Sequence, residues 1–332
     1  MTFTTPHRLR ILLCTFSLLA MAGCGTLMPA APAFDAQGHR GARGLAPENT
    51  LPAFERALNI GVNTLELDVG VTADGVVVVG HDPALNPAIT RDATGRWLAG
   101  KGPTVKSLTL AQLQAYDVGR INPDTPYAKT FSTQVPRDGT RMPTLASLFA
   151  FVKERGIHDV RFNIETKINP TQPDETVNPE QMTRALLNVI REAGMQKRVT
   201  IQSFDWRTLQ IVQGFEPAIP TVYLSIQTAN TDNIRDGVWT AGFKIAEHGS
   251  VPKMVKAAGG AVWSPNGGAV TEALVKEAQG LGLKVVPWTI NNPADMERLI
   301  GWGVDGLITD YPDRLRDVMQ KRGMPLPRAH GK

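Results

Sequence analysis

Glu66 and Asp68 interrupt an apolar run, Leu65-Glu66-Leu67-Asp68-Val69. Side chains two apart on a strand share a face. Both carboxylates therefore point one way, and the leucines and valine point the other. Like charges this close need a shared proton or a cation between them. The stretch Phe162-Asn163-Ile164-Glu165-Thr166-Lys167 has the same phase. Asn163, Glu165 and Lys167 fall on one face, Phe162 and Ile164 on the other. Glu66, Asp68 and Glu165 together offer hard oxygen ligands, which suit a divalent metal ion, Ca²⁺ or Mg²⁺, better than Zn²⁺. The plainer alternative is an ordinary charged pair bridged by Lys167.

Two histidines frame these acids. His39 lies in Gly38-His39-Arg40-Gly41 and His81 in Gly80-His81-Asp82-Pro83, each at the end of a strand pattern. Two imidazoles can divide general-base and general-acid work near neutral pH, in either order. Arg40 adds a rigid fork of donors and Lys167 a point charge. A cation, two bases and two positive side chains point to an anionic substrate, with phosphate the natural candidate. Phe204, after Gln202-Ser203, and Trp288, in Val286-Pro287-Trp288-Thr289, are candidates to line the mouth of such a site. His7, His158, His248 and His330 carry no comparable setting.

Positioning these groups requires a frame. Strand patterns fall at 34–39, 64–69, 76–80, 160–166, 199–203, 221–224, 261–264, 284–289 and 306–309. Helical patterns at 52–60, 145–155, 179–193, 206–213, 271–280 and 294–301 separate most of them. Repeated strand-then-helix implies parallel pairing. The link between the second and third strands is too short for a parallel crossover. That strand returns as a hairpin with Asp74-Gly75 at its turn. Eight parallel strands remain, which predicts an α/β fold, the (β/α)₈ TIM barrel. A doubly wound open sheet is the other option, although no Gly-x-Gly-x-x-Gly follows the first strand. Catalytic groups of a barrel sit at the C-terminal strand ends, where His39 falls. Residues 83–143 break the alternation and read as a small insertion after the hairpin, with one helical patch at 108–116.

The N-terminus reads differently. Arg8 and Arg10 precede an apolar run from Ile11 to Ala22, followed by Met21-Ala22-Gly23-Cys24. This predicts a signal peptide over 1–23 of the bacterial lipoprotein type, with Cys24 the lipidated residue and an exported, membrane-anchored protein. Simple cleavage and release is the alternative. Residues 24–33 read as a tether, 34–320 as the barrel domain and 321–332 as a tail. Cys14 and Cys24 are the only cysteines, so a chain beginning at Cys24 excludes thiol catalysis. A formal charge of +4 with no Lys/Arg run argues against nucleic acid.

Taken together, these residues resemble the glycerophosphodiester phosphodiesterases. The matching pieces are His39-Arg40-Gly41, Pro47-Glu48-Asn49-Thr50, Glu66-Leu67-Asp68-Val69, Asp74-Gly75, His81-Asp82 and Asn163-Ile164-Glu165-Thr166-Lys167. Downstream are Gln202-Ser203-Phe204, Trp288-Thr289 and Gly303-Val304-Asp305-Gly306-Leu307-Ile308-Thr309-Asp310. The resemblance implies hydrolysis of glycerophosphodiesters to an alcohol and glycerol 3-phosphate. It implies His39 and His81 as the acid–base pair, Glu66, Asp68 and Glu165 as metal ligands, and Arg40 and Lys167 as phosphate contacts. Rival expectations are a lipid-directed phosphodiesterase, of phosphatidylinositol phospholipase C or lysophospholipase D type, and a catalytically silent surface lipoprotein.

Overall fold

A computed structural model describes residues 1–4 and 34–331. Cys24, the tether and nearly all of the expected signal peptide lie outside the described residues. Nine strands build one sheet: β1 (Asp35–Gly38), β2 (Thr64–Val71), β3 (Val77–Val79), β4 (Arg161–Thr166), β5 (Val199–Ser203), β6 (Thr221–Ser225), β7 (Val262–Pro265), β8 (Lys284–Val285) and β9 (Gly306–Thr309). Their order is β8-β7-β6-β5-β4-β2-β1-β9, and each neighbouring pair along it is parallel. Only β3 runs antiparallel, against β2.

The ring closes between β8 and β9. Asp305 N–H donates to Val285 O at 2.9 Å, Ile308 to Pro287 at 3.0 Å, and Ile290 to Ile308 at 2.9 Å. This is a (β/α)₈ barrel with a hairpin appended, and the open-sheet alternative falls. The eighth strand is regular over two residues only, not over 284–289. Pro287 has no N–H to give a ladder. The chain runs on beside β7 through single bonds, Val286 N–H to Trp263 O and Trp288 N–H to Pro265 O, both at 3.0 Å.

Helices follow the strands: α1 (Leu51–Ile60), α2 (Leu110–Leu113), α3 (Pro126–Thr130), α4 (Leu145–Glu154), α5 (Pro179–Glu192), α6 (Trp206–Phe215), α7 (Ile245–His248), α8 (Val251–Ala257), α9 (Glu272–Gly280), α10 (Pro293–Gly301) and α11 (Pro312–Lys321). Most of their starts are capped by a side chain. Thr50 accepts from Ala53 N–H, Thr144 from Ser147, Asn178 from Gln181 and Asp205 from Arg207. Each cap satisfies an orphan donor and contributes about 1 kcal/mol. The sequence reading places no helix over α8 or α11. The signals were present: Ser250 caps α8, Pro252 opens it, and Val251, Met254 and Val255 bury one face. The segment 83–143 holds α2, a short helix inside the patch expected at 108–116, and α3, which the sequence reading does not place, around a small core of Leu85, Val105 and Leu113 packed on Val78.

Strand alternation sorts the core. Leu65, Leu67, Val69, Phe162 and Ile164 face the helices, where Phe162 meets Phe149 edge-on with centroids 4.9 Å apart. Fully burying each such side chain contributes about 1.5–3 kcal/mol. The barrel interior divides in two. Val222, Val262, Val286 and Ile308 fill one half with apolar contact. Gln37, Glu66, Asn163 and Gln202 fill the other, all buried and polar.

Candidate active site

The acids come from two adjacent strands. In the β2–β4 register Asp68 lies beside Glu165, and Glu66 beside Asn163. One oxygen from each of Glu66, Asp68 and Glu165 falls within 4.8 Å of the others. All three are buried. The inward phase read from the alternation is the phase the barrel adopts.

Each carboxylate is held by neighbours. Glu66 accepts from the Arg40 backbone N–H at 2.8 Å and from Gln202 Nε2 at 2.6 Å. Gln202 in turn accepts from Asn163 Nδ2 at 2.9 Å, and that same amide donates to Gln37 at 3.0 Å. A line of amides therefore aims Glu66 from below. Asn49 Nδ2 donates to Asp68 at 2.8 Å. Arg40 and Asn49 carry positive φ, 50° and 54°. Such strain in non-glycine residues costs about 1–3 kcal/mol each and concentrates at functional sites. Here the turn delivers a backbone donor to Glu66 and a side-chain donor to Asp68.

Burial and mutual repulsion decide the charges. Burial pushes Glu66 well above the usual carboxylate range, and Asp68 adds to it. Burial also pushes Glu165 up, to about 7, with Lys167 offsetting only part. Burial acts on Asp68 in the same direction, but His81 when protonated, Arg40 and Lys167 overrule it and hold it low. Lys167 Nζ donates to Glu165 at 2.6 Å and sits 3.7 Å from Asp68. Among the three acids, Lys167 compensates one charge. Asp68 Oδ1 is buried with no hydrogen-bond partner, the condition of an oxygen kept free for a ligand. The three acids fit a hard divalent cation in chemistry and spacing.

The histidines stand on either side. His39 is buried, and its Nδ1 lies 2.6 Å from Asp310 Oδ1. Its Nε2 is 3.9 Å from Glu66. Burial, with Arg43 nearby, drops the His39 pKa to about 4, against the pull of Asp310. His81 is half-buried, with Nδ1 2.8 Å from Asp82 Oδ1. Burial lowers it too, helped by Lys167 and Arg40. Both imidazoles, Glu66, Glu165, Arg40 and Gln202 border one pocket of about 150 Å³ at the C-terminal end of the barrel. Phe204 and Trp288 line it and meet edge-on, centroids 5.3 Å apart. Every candidate among the described residues is thus in or beside one place.

Several residues here have no role in the sequence reading. Asp310 binds His39, accepts twice from Arg43 (2.7 and 3.0 Å) and once from Asn291 at 2.6 Å. Glu48 takes Arg40 Nη1 at 2.6 Å and also accepts from the Tyr127 hydroxyl of the insertion. Arg40 is therefore braced by the protein. Asp310 follows the last strand, and the strand-end rule could have marked it. Arg43 and Tyr127 give no local signal.

A barrel whose strand ends gather a metal-competent acid triad, two carboxylate-backed imidazoles and fixed cations defines a phosphodiester hydrolase. The profile of the glycerophosphoryl diester phosphodiesterase family matches residues 39–314, and the chain belongs to that family of enzymes. A glycerophosphodiester phosphodiesterase of Bacillus subtilis is 31% identical over 84% of this chain and 84% of its own. A solved structure assigned to the same class, from Silicibacter pomeroyi, is 37% identical, with a TM-score of 0.79 over 88% of this chain and 95% of that one. A phosphodiesterase from Oleispira antarctica, solved with the product sn-glycerol-3-phosphate, shares the fold at 22% identity, TM-score 0.63, over 86% and 96%.

Proposed function

We propose that the chain hydrolyses glycerophosphodiesters to glycerol 3-phosphate and a free alcohol, with His39 as general base and His81 as general acid. The observation that carries this is that two imidazoles, each with a carboxylate on Nδ1, border one pocket with Glu66 and Glu165. The bound product of the Oleispira antarctica protein supports the same product here.

Glu66, Asp68 and Glu165 would hold a divalent ion, Ca²⁺ or Mg²⁺. When bound, such an ion supplies charge neutralisation at a phosphate oxygen. The protein's own residues do the rest. A carboxylate on each Nδ1 keeps the proton there and presents a bare Nε2. At His39 this makes a base facing Glu66, able to take a proton from water or from a glycerol hydroxyl. The new P–O bond forms as that proton moves. On the other side the bond to the departing alcohol breaks, and His81 returns a proton to its oxygen. Burial lowers His81 most and Lys167 and Arg40 add to it; a bound phosphate would offset the two cations and so favour the protonated acid. His81 takes the leaving side because it borders both this pocket and a larger one beside it. A positioned acid or base contributes about 10²–10⁴-fold each.

The test is turnover of glycerophosphocholine with Mg²⁺ or Ca²⁺, detecting glycerol 3-phosphate, with lysophosphatidylcholine as the lipid comparison. Preference for the lysolipid would move the reading to the lipid-directed class. Full activity in His39→Ala or His81→Ala would remove the assigned roles. We further propose lipidation of Cys24 and residence on the outer side of the cell membrane. Mass spectrometry of the mature N-terminus checks it.

A further inference from the structure

A second pocket, of about 320 Å³, opens beside the first and shares His81, Glu165 and Phe204 with it. It is mainly apolar, and its size suits a small ligand. Its remaining wall comes from the loop after β6, through Ile226, Asp232 and Trp239. That loop is anchored. Asn233 is buried, its Oδ1 accepts from Ile226 N–H at 2.8 Å, and Trp206 N–H donates to Trp239 O at 2.8 Å.

The charges within this pocket do not balance. Lys167 and Glu165 face it as a bonded pair, 2.6 Å apart. Asp232 is then the carboxylate left over among the lining side chains. Its Oδ1 is fixed by Ile234 N–H at 3.0 Å, while its Oδ2 meets, among the described residues, only Arg235, at 3.2 Å. The Arg235 side chain is 75% exposed, and an exposed pair of this kind contributes little and yields easily. Two aromatic residues, Phe204 and Trp239, also line it, and the Phe204 ring already has Lys167 Nζ 5.9 Å from its centroid. A carboxylate beside aromatic rings in an apolar pocket suits an ammonium group.

We propose that this side pocket seats the departing alcohol and selects a cationic amino alcohol, with Asp232 as the residue that reads its charge. The proposal rests on the hydrolytic reading above, in which His81 stands at the leaving oxygen. The central pocket then holds the glycerol phosphate common to every substrate. The side pocket decides among head groups. A neutral polyol there forgoes the ion pair with Asp232, and an anionic head group meets a like charge.

The experiment compares kcat/KM for glycerophosphocholine and glycerophosphoglycerol, read as glycerol 3-phosphate, in the wild type and in Asp232→Asn. Asparagine retains an oxygen for the Ile234 N–H and loses only the charge. The wild type is expected to favour the choline diester about tenfold, and the substitution to erase most of that ratio. The ratio is internal to each protein, so partial loss of folded enzyme leaves it unmoved. Inhibition gives a second readout: choline should outcompete its neutral isostere, 3,3-dimethylbutan-1-ol, in the wild type and lose that advantage in Asp232→Asn. Equal ratios in the two proteins, or equal inhibition by the two alcohols, would overturn the head-group assignment while leaving the activity standing. Absence of glycerol 3-phosphate from both diesters would instead bring down the hydrolytic reading, and this one with it.

Discussion

His39 and Asp310 meet across two paired strands, β1 and β9, with Nδ1 and Oδ1 2.6 Å apart and both residues buried. The carboxylate favours a proton on Nδ1 and leaves Nε2 facing Glu66, the arrangement the proposed base requires. Arg43 and Asn291 hold the carboxylate so that it cannot turn away.

Asp310→Asn should therefore lower kcat by about 10²-fold or more, with KM changed far less. The amide can donate where the carboxylate accepted, which favours the wrong tautomer. Asp310→Glu should recover part of the loss. Steady-state kinetics on a glycerophosphodiester decides it. Activity within threefold of the wild type would remove Asp310 from the base's support.

The same carboxylate predicts a pH dependence of stability. Burial pushes Asp310 up, but His39 and Arg43 overrule it and hold its pKa below the usual range. A depressed folded pKa gives stability that is present above the unfolded value of about 3.9 and fades as pH falls through the folded one. Compared in a His39→Ala background, where the imidazole's own titration does not enter and Arg43 still holds the carboxylate low, the stability gap on Asp310→Asn should be full at pH 6 and smaller by up to about 1 kcal/mol at pH 3. Urea titrations of both proteins at the two pH values measure it. A gap that grows on acidification would contradict the sign.

The acid triad was legible because a strand's period of two puts residues 66, 68 and 165 on a common face once β2 and β4 pair. The barrel was legible from the strand–helix alternation and one short link. Asp310 was harder, since its meeting with His39 joins positions 271 residues apart and has no periodic trace. The end of the eighth strand was overextended because Val286-Pro287-Trp288 looks like a strand, yet proline removes the ladder bond. Arg40 was expected to meet phosphate, and it does line the pocket, but pairing it with Glu48 required the fold. The loop carrying Asp232 and Trp239 shows no pattern until β6 and α6 anchor it.

Glu66, Asp68 and Glu165 predict a single divalent site. Isothermal titration of metal-stripped protein with Ca²⁺ or Mg²⁺ should show one ion per chain. Binding should raise Tm, since an ion bound only by the folded chain stabilises it. Glu66→Gln, Asp68→Asn or Glu165→Gln should each weaken binding and reduce activity together. Chelation should abolish turnover and metal restore it. Undiminished binding in Asp68→Asn would break the assignment, because Asp68 Oδ1 is the triad's buried oxygen without a hydrogen bond among the described residues.

The amide line beneath the triad yields the last prediction. Gln202 donates to Glu66 at 2.6 Å and accepts from Asn163 at 2.9 Å. Gln202→Leu is close in volume but removes the donor. It leaves a buried Glu66 oxygen and a buried Asn163 N–H each short of a partner. Unmade bonds of this kind cost about 1–3 kcal/mol each. The freed carboxylate should also lose its aim, lowering metal affinity about 10–100-fold, as expected when the partner of a ligand is removed. Gln202→Glu is the informative companion. It keeps the length but replaces the donor by a carboxyl group that must share a proton with Glu66; because binding needs ionised carboxylates, its affinity should trail the wild type most at pH 5 and recover as pH rises to 8. Metal titrations of both variants, beside their urea stabilities, separate aim from stability. If Gln202→Leu lost stability but bound metal as tightly as the wild type, the amide line would serve the fold alone, and Glu66 would owe its orientation to the Arg40 backbone N–H.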